Sequence, residues 1–287
     1  MPVILDAKDL EKLDKEFAVE SKVWAVLGQG GQELKESDFV GVKEVRVNKM
    51  TGFKASDYNR NGDNARNKID VAKETRKLEK ERWMGYDLDA LDQSENGSYD
   101  IANVVEEHNR LVSIPEKDKT AVERLLEMAG KLVKETITTA SSLTAYDAAE
   151  QYMLDAEIAG PFVMFASSDY YQSLKNNDKV AKTFSVNEVN INGINRKVGQ
   201  LDGDVPIINV PKSRLQVDTA KVINFILVPL RVAMPVEKYN DVTIIPASQD
   251  RDGYRDTVKG LNYYDLLVFD NAKEAIYISY KDAPSGN

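Results

Sequence analysis

Residues 39–86 constrain the possible folds of this chain most, because they resemble strands while offering few residues for a core. Eight of the ten residues 73–82 are charged. Strand-like runs at 42–47 and 68–71 flank a polar, glycine-containing stretch at 58–64 that is typical of a long turn. The pattern predicts a two-stranded arm whose strands of about 12–15 residues reach roughly 40–50 Å. An isolated hairpin is marginally stable in water, so we expect the arm to lie on a neighbouring subunit.

Helices are predicted on both sides of this arm. The first runs from Asp6, which can cap it, to Leu27, and the glycine-rich run 28–31 ends it. The second begins with a capping box formed by Ser113 and Glu116, and its apolar residues recur at helical spacing to about Glu135. Its length of some 20 residues corresponds to roughly 30 Å.

The second half of the chain alternates between short helices and strands. Helices are predicted from Thr144 to Ala156 and at 168–175. Strands are predicted at 162–165, 189–192, 206–210, 222–230, 241–245, 263–269 and 275–280. Early helices followed by late strands indicate an α+β fold.

The composition excludes several functional classes. The 287 residues include no cysteine, which rules out disulfides, thiolate nucleophiles and cysteine metal sites. No apolar run approaches the ~20 residues that span a bilayer, so we expect no membrane partner. The N-terminus lacks the features of a secretory signal, which favours assembly in a cytoplasm. The net charge of −9 opposes binding to nucleic acid through phosphates, although a local basic patch stays compatible with it.

Three polar motifs resemble parts of ligand sites, and each is better interpreted as a turn or joint. The carboxylates of Asp87, Asp89, Asp92 and Glu95 cluster in sequence, but a cluster alone does not define a metal site. The run 248–253 resembles the opening of a calcium loop, yet Lys259 stands where that loop needs a bidentate glutamate. The run 28–31 follows a predicted helix, whereas a phosphate loop follows a strand. We therefore predict no metal and no cofactor.

The sequence gives equally little support for a catalytic site. His108 is the one histidine, and no nucleophile motif accompanies it, so we expect it at a surface or an interface. Pairs among the 47 acidic residues leave a carboxylate-based hydrolase open, although no pair stands out. The tyrosine pairs 170–171 and 263–264 are not interleaved with basic residues, which favours packing over base stacking. We predict no catalytic residues.

The order of these elements resembles the major capsid proteins of tailed bacteriophages, which have the Hong Kong ninety-seven-type fold. Nearly the whole chain takes part in the resemblance. Four stretches carry it, namely 82–92, 114–118, the region from Phe162 through 170–175 to 197–207, and 262–268. Lys119 and Thr120 depart mildly from the family, where many relatives have an aromatic residue and an arginine.

The resemblance implies a division of the chain into four parts. Residues 1–38 correspond to an N-terminal arm and 39–85 to an extended two-stranded loop. A peripheral domain with a long spine helix is expected at 86–141 and 233–262. An axial domain is expected at 142–232 and 263–287.

The resemblance also implies a function, which is self-assembly through pentamers and hexamers into the icosahedral shell around a double-stranded DNA genome. Arg76, Lys77, Glu79 and Arg82 of the extended loop are the expected subunit-interface residues. The implied partners are other copies, a portal protein, packaged DNA without sequence-specific contacts, and a scaffolding protein. Because the arm begins almost at Met1, we expect that scaffold to be a separate chain. A cellular nanocompartment (encapsulin-like) shell of the same fold is the nearest alternative, and the hydrolase is the second.

Overall fold

The computed structural model describes residues 20–29, 39–40, 43–64, 66–95, 101–178, 185–191, 194–201, 205–250 and 252–283. The helices are α1 (Trp24–Leu27), α2 (Ala90–Glu95), α3 (Ile101–His108), α4 (Ile114–Glu127), α5 (Ser142–Asp155), α6 (Ser168–Lys175) and α7 (Lys212–Leu215). The strands are β1 (Phe39–Val40), β2 (Glu44–Thr51), β3 (Asp70–Lys77), β4 (Lys80–Asp89), β5 (Lys131–Lys134), β6 (Phe162–Ser167), β7 (Ser185–Ile191), β8 (Ile194–Leu201), β9 (Val205–Val210), β10 (Lys221–Pro229), β11 (Ala233–Ile245), β12 (Arg255–Val268) and β13 (Tyr277–Asp282). Within these described ranges, no helix combines the length and the apolar character that crossing a membrane requires.

The chain divides into two compact units, and the smaller comprises residues 33–79. In it, β2 and β3 form an antiparallel ladder from Glu44 opposite Lys77 to Thr51 opposite Asp70, and β1 pairs with β2. Few of its side chains are buried, and Met50, Ile69 and Val71 are exposed. The predicted strand pair is therefore present. Its first strand ends at Thr51 and its second strand begins at Asp70. We call residues 44–77 the hairpin.

The larger unit contains a seven-stranded sheet in the order β5-β13-β10-β6-β9-β8-β7. Its interior strand β10, between β13 and β6, is buried on both faces, since Ile226 and Val228 belong to one apolar cluster and Phe225 and Leu227 to another. The first cluster packs against α1 and α4, and the second against α5 and α6. The predicted strand at 162–165 and the predicted helix at 168–175 are confirmed as β6 and α6.

The same unit contains a three-stranded antiparallel sheet in the order β11-β12-β4. Strand β12 pairs with β4 from Arg255 opposite Asp89 to Tyr264 opposite Lys80. The hairpin unit therefore ends at Glu79, six residues before the predicted limit of the extended loop at 85. Strand β12 also runs to Val268, across the predicted domain limit at 262, because its ladder with β11 continues beyond a bulge between Glu237 and Tyr239.

The predicted spine helix differs from the observed one at both ends. A π-helical turn, Asn109–Ser113, joins α3 to α4, and Ser113 has helical backbone angles without a capping hydrogen bond. The predicted capping box is therefore wrong. Pro115 has no N–H to donate to the carbonyl of Leu111, which favours a widened turn immediately before α4. Helix α4 ends at Glu127 instead of near Glu135, because residues 131–134 join the large sheet as β5.

The segment around α1 is held by one buried carboxylate. Asp118 on α4 is fully buried and accepts hydrogen bonds from the Ser21 hydroxyl and the backbone N–H groups of residues 22–24. The Arg214 guanidinium also donates to Asp118, at 2.9 Å. The predicted helix from Asp6 lies outside the described residues as far as residue 19, and the described part is helical at Trp24–Leu27.

Candidate assembly surface

Three of the four predicted interface residues lie on or just after the hairpin. Arg76 pairs with Glu74 two residues away on β3, with 2.7 Å between nitrogen and oxygen. Lys77 Nζ lies 3.6 Å from the carboxylate of Glu44, its partner across the ladder. Glu79 is exposed in the link to β4. Of these groups, the Lys77–Glu44 pair joins β2 to β3 and supports their register, and the Lys77 side chain is 70% exposed.

Arg82 lies elsewhere, on β4 of the larger unit. Its guanidinium forms an ion pair with Glu116 in the first turn of α4. Lys80 on the same strand pairs with Glu123, about two turns further along α4, at 2.8 Å. Arg82 therefore ties β4 to the spine helix of its own chain, which differs from its predicted position on the extended loop.

A groove of about 130 Å³ lies beside this ion pair, between the π-helical turn and the sheet β11-β12-β4. Its lining includes the ion-paired Arg82 and Glu116, and also His108 of α3. The apolar side chains Val112 and Val242 also line it. We call this feature the groove. No pattern in the sequence predicts this groove, and Pro115 is the local signal for the widened helical turn that lines it.

Two buried polar atoms in the groove lining make no hydrogen bond. They are the side-chain oxygen Oδ1 of Asn262 and the hydroxyl of Tyr264. Arg82 and Thr120 approach the Tyr264 hydroxyl without normal hydrogen-bond geometry. Burial, assisted by the negative charge of Glu116, raises the pKa of Tyr264 to about 12. A buried oxygen without a partner is costly for folding, and neither atom is accessible from the groove.

His108 is on the helical wall of the groove. Its Nδ1 lies 2.7 Å from the Tyr86 hydroxyl, and the two rings meet edge to face. Partial burial lowers the pKa of His108, while the charge of Glu116 acts in the opposite direction. The contact with Tyr86 joins α3 to β4, and no serine nucleophile takes part in it.

The polar motifs considered as ligand sites are engaged in local contacts. Asp87 accepts a hydrogen bond from the Thr257 hydroxyl at 2.7 Å, and Asp89 accepts one from the backbone of Leu91. Asp250 pairs with Arg255, which lowers the pKa of the Asp250 carboxyl. Across the ranges that the structure describes, no group of three or more His, Cys, Asp or Glu side chains is arranged to hold a metal ion.

Tyr170, Tyr263 and Tyr264 are buried packing residues, as predicted, whereas Tyr171 is partly buried. Tyr170 is buried and stacks on Phe225 with ring centroids 4.6 Å apart. Tyr264 is buried and meets Trp24 edge to face at 5.5 Å. Burial raises the pKa of Tyr170 well above its usual range. These rings lie in the interior and do not form a platform for bases.

Comparison with known proteins identifies the fold. No protein-family model matches the chain. The curated proteins likewise contain no match. Among solved structures, a chain of the cyanophage P-SCSP1u capsid matches with a TM-score of 0.66 and 11% identity, covering 95% of this chain and 92% of that one. A chain of the mature capsid of bacteriophage PhiM1 matches with a TM-score of 0.65 and 11% identity, covering 94% and 89%.

A third solved structure, a virus-like particle from Pyrococcus furiosus, matches with a TM-score of 0.51 and 14% identity, covering 91% of this chain and 96% of that one. Over most of its length, the chain thus has the fold of phage capsid subunits. The predicted α+β fold of the Hong Kong ninety-seven type is confirmed.

Proposed function

We propose that this chain is the structural subunit of a closed icosahedral shell that encloses the double-stranded DNA genome of a tailed phage. The observation that carries the proposal is the match to phage capsid chains over more than nine tenths of the sequence. The hairpin supports it independently, because a strand pair with so little buried apolar surface gains stability from a neighbouring chain. The proposed function is multivalent self-association, in which the chain has a structural role in the shell and not a catalytic one.

The proposed interface uses Arg76, Lys77 and Glu79 to set the position of the hairpin on the next subunit. Charges at the rim of an interface contribute more to orientation than to affinity. Arg82 acts differently, since its ion pair with Glu116 holds β4 against α4 within the larger unit. In this proposal Arg82 supports the interface from within its own subunit.

Purified protein tests the shell directly. We expect expressed protein to form closed particles that sediment as large assemblies and appear as shells by negative-stain electron microscopy. Protein that stays monomeric or dimeric at all concentrations would contradict the proposal. The match to a virus-like particle from Pyrococcus furiosus favours the nanocompartment alternative. The contents of native particles distinguish the two functions, because phage heads contain DNA and nanocompartments contain protein cargo.

We further propose that a separate scaffolding protein controls curvature and that a portal protein occupies one vertex, with assembly in the host cytoplasm. The subunit expressed alone should then give polydisperse particles, and co-expression with its scaffold should give uniform ones. Uniform shells of one diameter from the subunit alone would contradict the scaffold and would favour the nanocompartment alternative.

A further inference from the structure

Asparagine side chains brace the tip of the hairpin. The tip comprises residues 52–64 and 66–69, which have no regular helix or strand. Asn64 Oδ1 accepts from the backbone N–H of Asn59 at 2.7 Å, and Asn64 Nδ2 donates to the backbone carbonyl of the same residue at 3.2 Å. Asn67 Nδ2 donates to a backbone carbonyl across the tip at 2.9 Å. Such bonds replace backbone pairing in turns, so the amides of Asn64 and Asn67 are engaged.

Asn61 differs from these braces because its own side chain is not bound. The residue is exposed, and its backbone N–H donates to Asn59 Oδ1 at 3.1 Å. Among the residues that the structure describes, neither the carboxamide of Asn61 nor the backbone N–H of Gly62 makes a hydrogen bond. The side-chain carbonyl carbon of Asn61 and the backbone nitrogen that follows it are therefore both open to reaction.

Packing in the tip accounts for the glycine that follows Asn61. A Cβ at Gly62 would lie 2.7 Å from Nδ2 of Asn59, the residue whose side chain holds the backbone of Asn61. A larger residue would displace that side chain. Glycine also leaves its backbone nitrogen uncrowded, because it has no Cβ. The packing thus places the least hindered nitrogen directly after the asparagine whose side chain is unbound.

We propose that Asn61 and Gly62 form a self-modification site whose co-substrate is water. The Gly62 nitrogen loses its proton to solvent base and bonds to Cγ of Asn61, the Cγ–Nδ2 bond breaks, and the leaving amide takes up a proton as ammonia. Water then opens the imide ring at either carbonyl, which yields aspartate or isoaspartate at position 61. Water enters and ammonia leaves, so the step needs no oxidant or reductant.

The modification changes the charge of the hairpin. Residues 44–77 contain nine Lys and Arg against five Asp and Glu, a net charge of +4, and a carboxylate at position 61 lowers it to +3. The remaining residues contain 29 Lys and Arg against 42 Asp and Glu, a net charge of −13. The attraction between the hairpin and other copies is therefore weakened. This consequence rests on the proposed shell function, whereas the modification itself does not.

Peptide mapping of the full-length chain tests the site. Wild-type protein is incubated at mildly alkaline pH, digested with trypsin and analysed by mass spectrometry with electron-transfer fragmentation, which distinguishes isoaspartate from aspartate. Trypsin releases residues 61–66 as one peptide, so Asn61 and Asn64 are compared within the same molecule. We expect Asn61 to convert at least about tenfold faster than Asn64, whose amide is bound and whose successor has a Cβ. Equal rates, or no conversion at Asn61, would overturn the proposal.

Two variants test whether the Gly62 nitrogen is the attacking group. Asn61→Gln keeps an amide but needs a larger ring, and Gly62→Ala places a Cβ beside the nitrogen. Each should slow conversion at position 61 at least about tenfold, because each removes the favourable geometry of attack. Position 61 is exposed, so Asn61→Gln should keep the melting temperature of wild type. Conversion at the wild-type rate in both variants would contradict the imide route and overturn the proposal.

Stored protein tests the consequence for assembly. Wild type kept until most of Asn61 has converted should give a lower particle yield in sedimentation than fresh protein, whereas stored Asn61→Gln should match its own fresh sample. The Asn-Gly pairs at 96–97 and 192–193 lie outside the described residues and are present in both proteins, so the comparison isolates position 61. Equal losses on storage would overturn the consequence for assembly. Fresh protein that forms no closed particles would overturn the shell function, while peptide mapping would still decide the modification.

Discussion

Asp118 is the side chain on which the attachment of the α1 segment depends. It is fully buried and receives hydrogen bonds from Ser21, three backbone N–H groups and Arg214. Removing one member of a buried ion pair leaves an uncompensated charge and typically costs about 3–5 kcal/mol. We therefore expect Asp118→Ala to lower the free energy of unfolding by about that amount, measured by urea denaturation.

An exposed carboxylate provides the control for this prediction. Asp169 pairs with Lys212 at 2.7 Å, and both side chains are more than half exposed. Asp169→Ala should change the free energy of unfolding by less than about 1 kcal/mol. Equal losses from Asp118→Ala and Asp169→Ala would contradict the role of Asp118 as a buried anchor.

His108 makes stability depend on pH near neutrality. Partial burial, the largest cause, lowers its pKa in the folded protein, whereas the unfolded chain keeps the usual value near 6.5. Below about pH 6.5 the unfolded chain binds the proton more readily than the folded protein does. The contribution of His108 to the free energy of unfolding is therefore present in full above that pH and is lost as the pH decreases. The urea midpoint of wild type should therefore drop more between pH 7.5 and 5.5 than that of His108→Gln.

A spectroscopic measurement checks the same prediction. Because the sequence has one histidine, its imidazole gives one set of proton resonances in a spectrum of the unassembled subunit. That signal should titrate with a midpoint below 6.5, and a midpoint above 6.5 would contradict the effect of burial.

The residues of the groove show where prediction from sequence stops. Arg82 is recognisable as a charge near the base of the arm, but its partner Glu116 is 34 residues away and comes close only through the pairing of β4 with β12. Asn262 and Tyr264 look like ordinary strand residues in the sequence. Both line the groove only because the fold brings β12 beside the π-helical turn, which local patterns do not encode.

At the scale of elements, the charge of the hairpin is predicted to control its docking. Arg76→Glu with Lys77→Glu should lower particle yield in sedimentation while the subunit stays soluble, because each loss repeats at every copy in a shell. Arg82 is excluded from this test, since it lies on β4 of the larger unit and not on the hairpin.

The control for the hairpin variant reverses two lysines of the larger unit. Lys175→Glu with Lys212→Glu changes the net charge by the same amount and leaves residues 44–77 intact. We expect this variant to assemble more fully than the hairpin variant. Equal yields would indicate that net charge, and not the hairpin, limits assembly.

Elements with a clear local pattern were predictable, and elements set by tertiary pairing were not. The apolar run 162–165 and the amphipathic segment 168–175 appear as β6 and α6. Residues 131–134 continue the helical spacing of α4, yet they form β5 because parallel pairing with β13 overrides the local preference. A Cβ at Gly130 would lie 2.6 Å from the carbonyl oxygen of Lys273, so this glycine permits the close turn that ends the helix.

At the scale of the whole molecule, two electrostatic effects oppose each other during assembly. Subunits with a net charge of −9 repel one another. The hairpin, residues 44–77, has a net charge of +4 and is attracted to the remaining residues of other copies, whose net charge is −13. Salt weakens both effects, because the Debye length falls from about 10 Å at 0.1 M to about 3 Å at 1 M. The repulsion acts between whole subunits and the attraction at the docking surface, so their partial cancellation predicts a weak dependence of wild-type assembly on salt.

Neutralising the hairpin should remove the attraction and leave the repulsion. The fourfold variant Lys54→Gln, Arg60→Gln, Arg66→Gln and Lys68→Gln takes residues 44–77 from +4 to zero and the chain from −9 to −13. All four side chains are exposed and belong to the segment between β2 and β3, so the fold should tolerate the changes. We expect this variant to assemble poorly near 0.1 M salt and to recover as the concentration approaches about 1 M, followed by light scattering. If wild type and variant respond to salt with the same slope, the hairpin charge does not contribute to association, and the acidic body would have to be held together by apolar contacts alone.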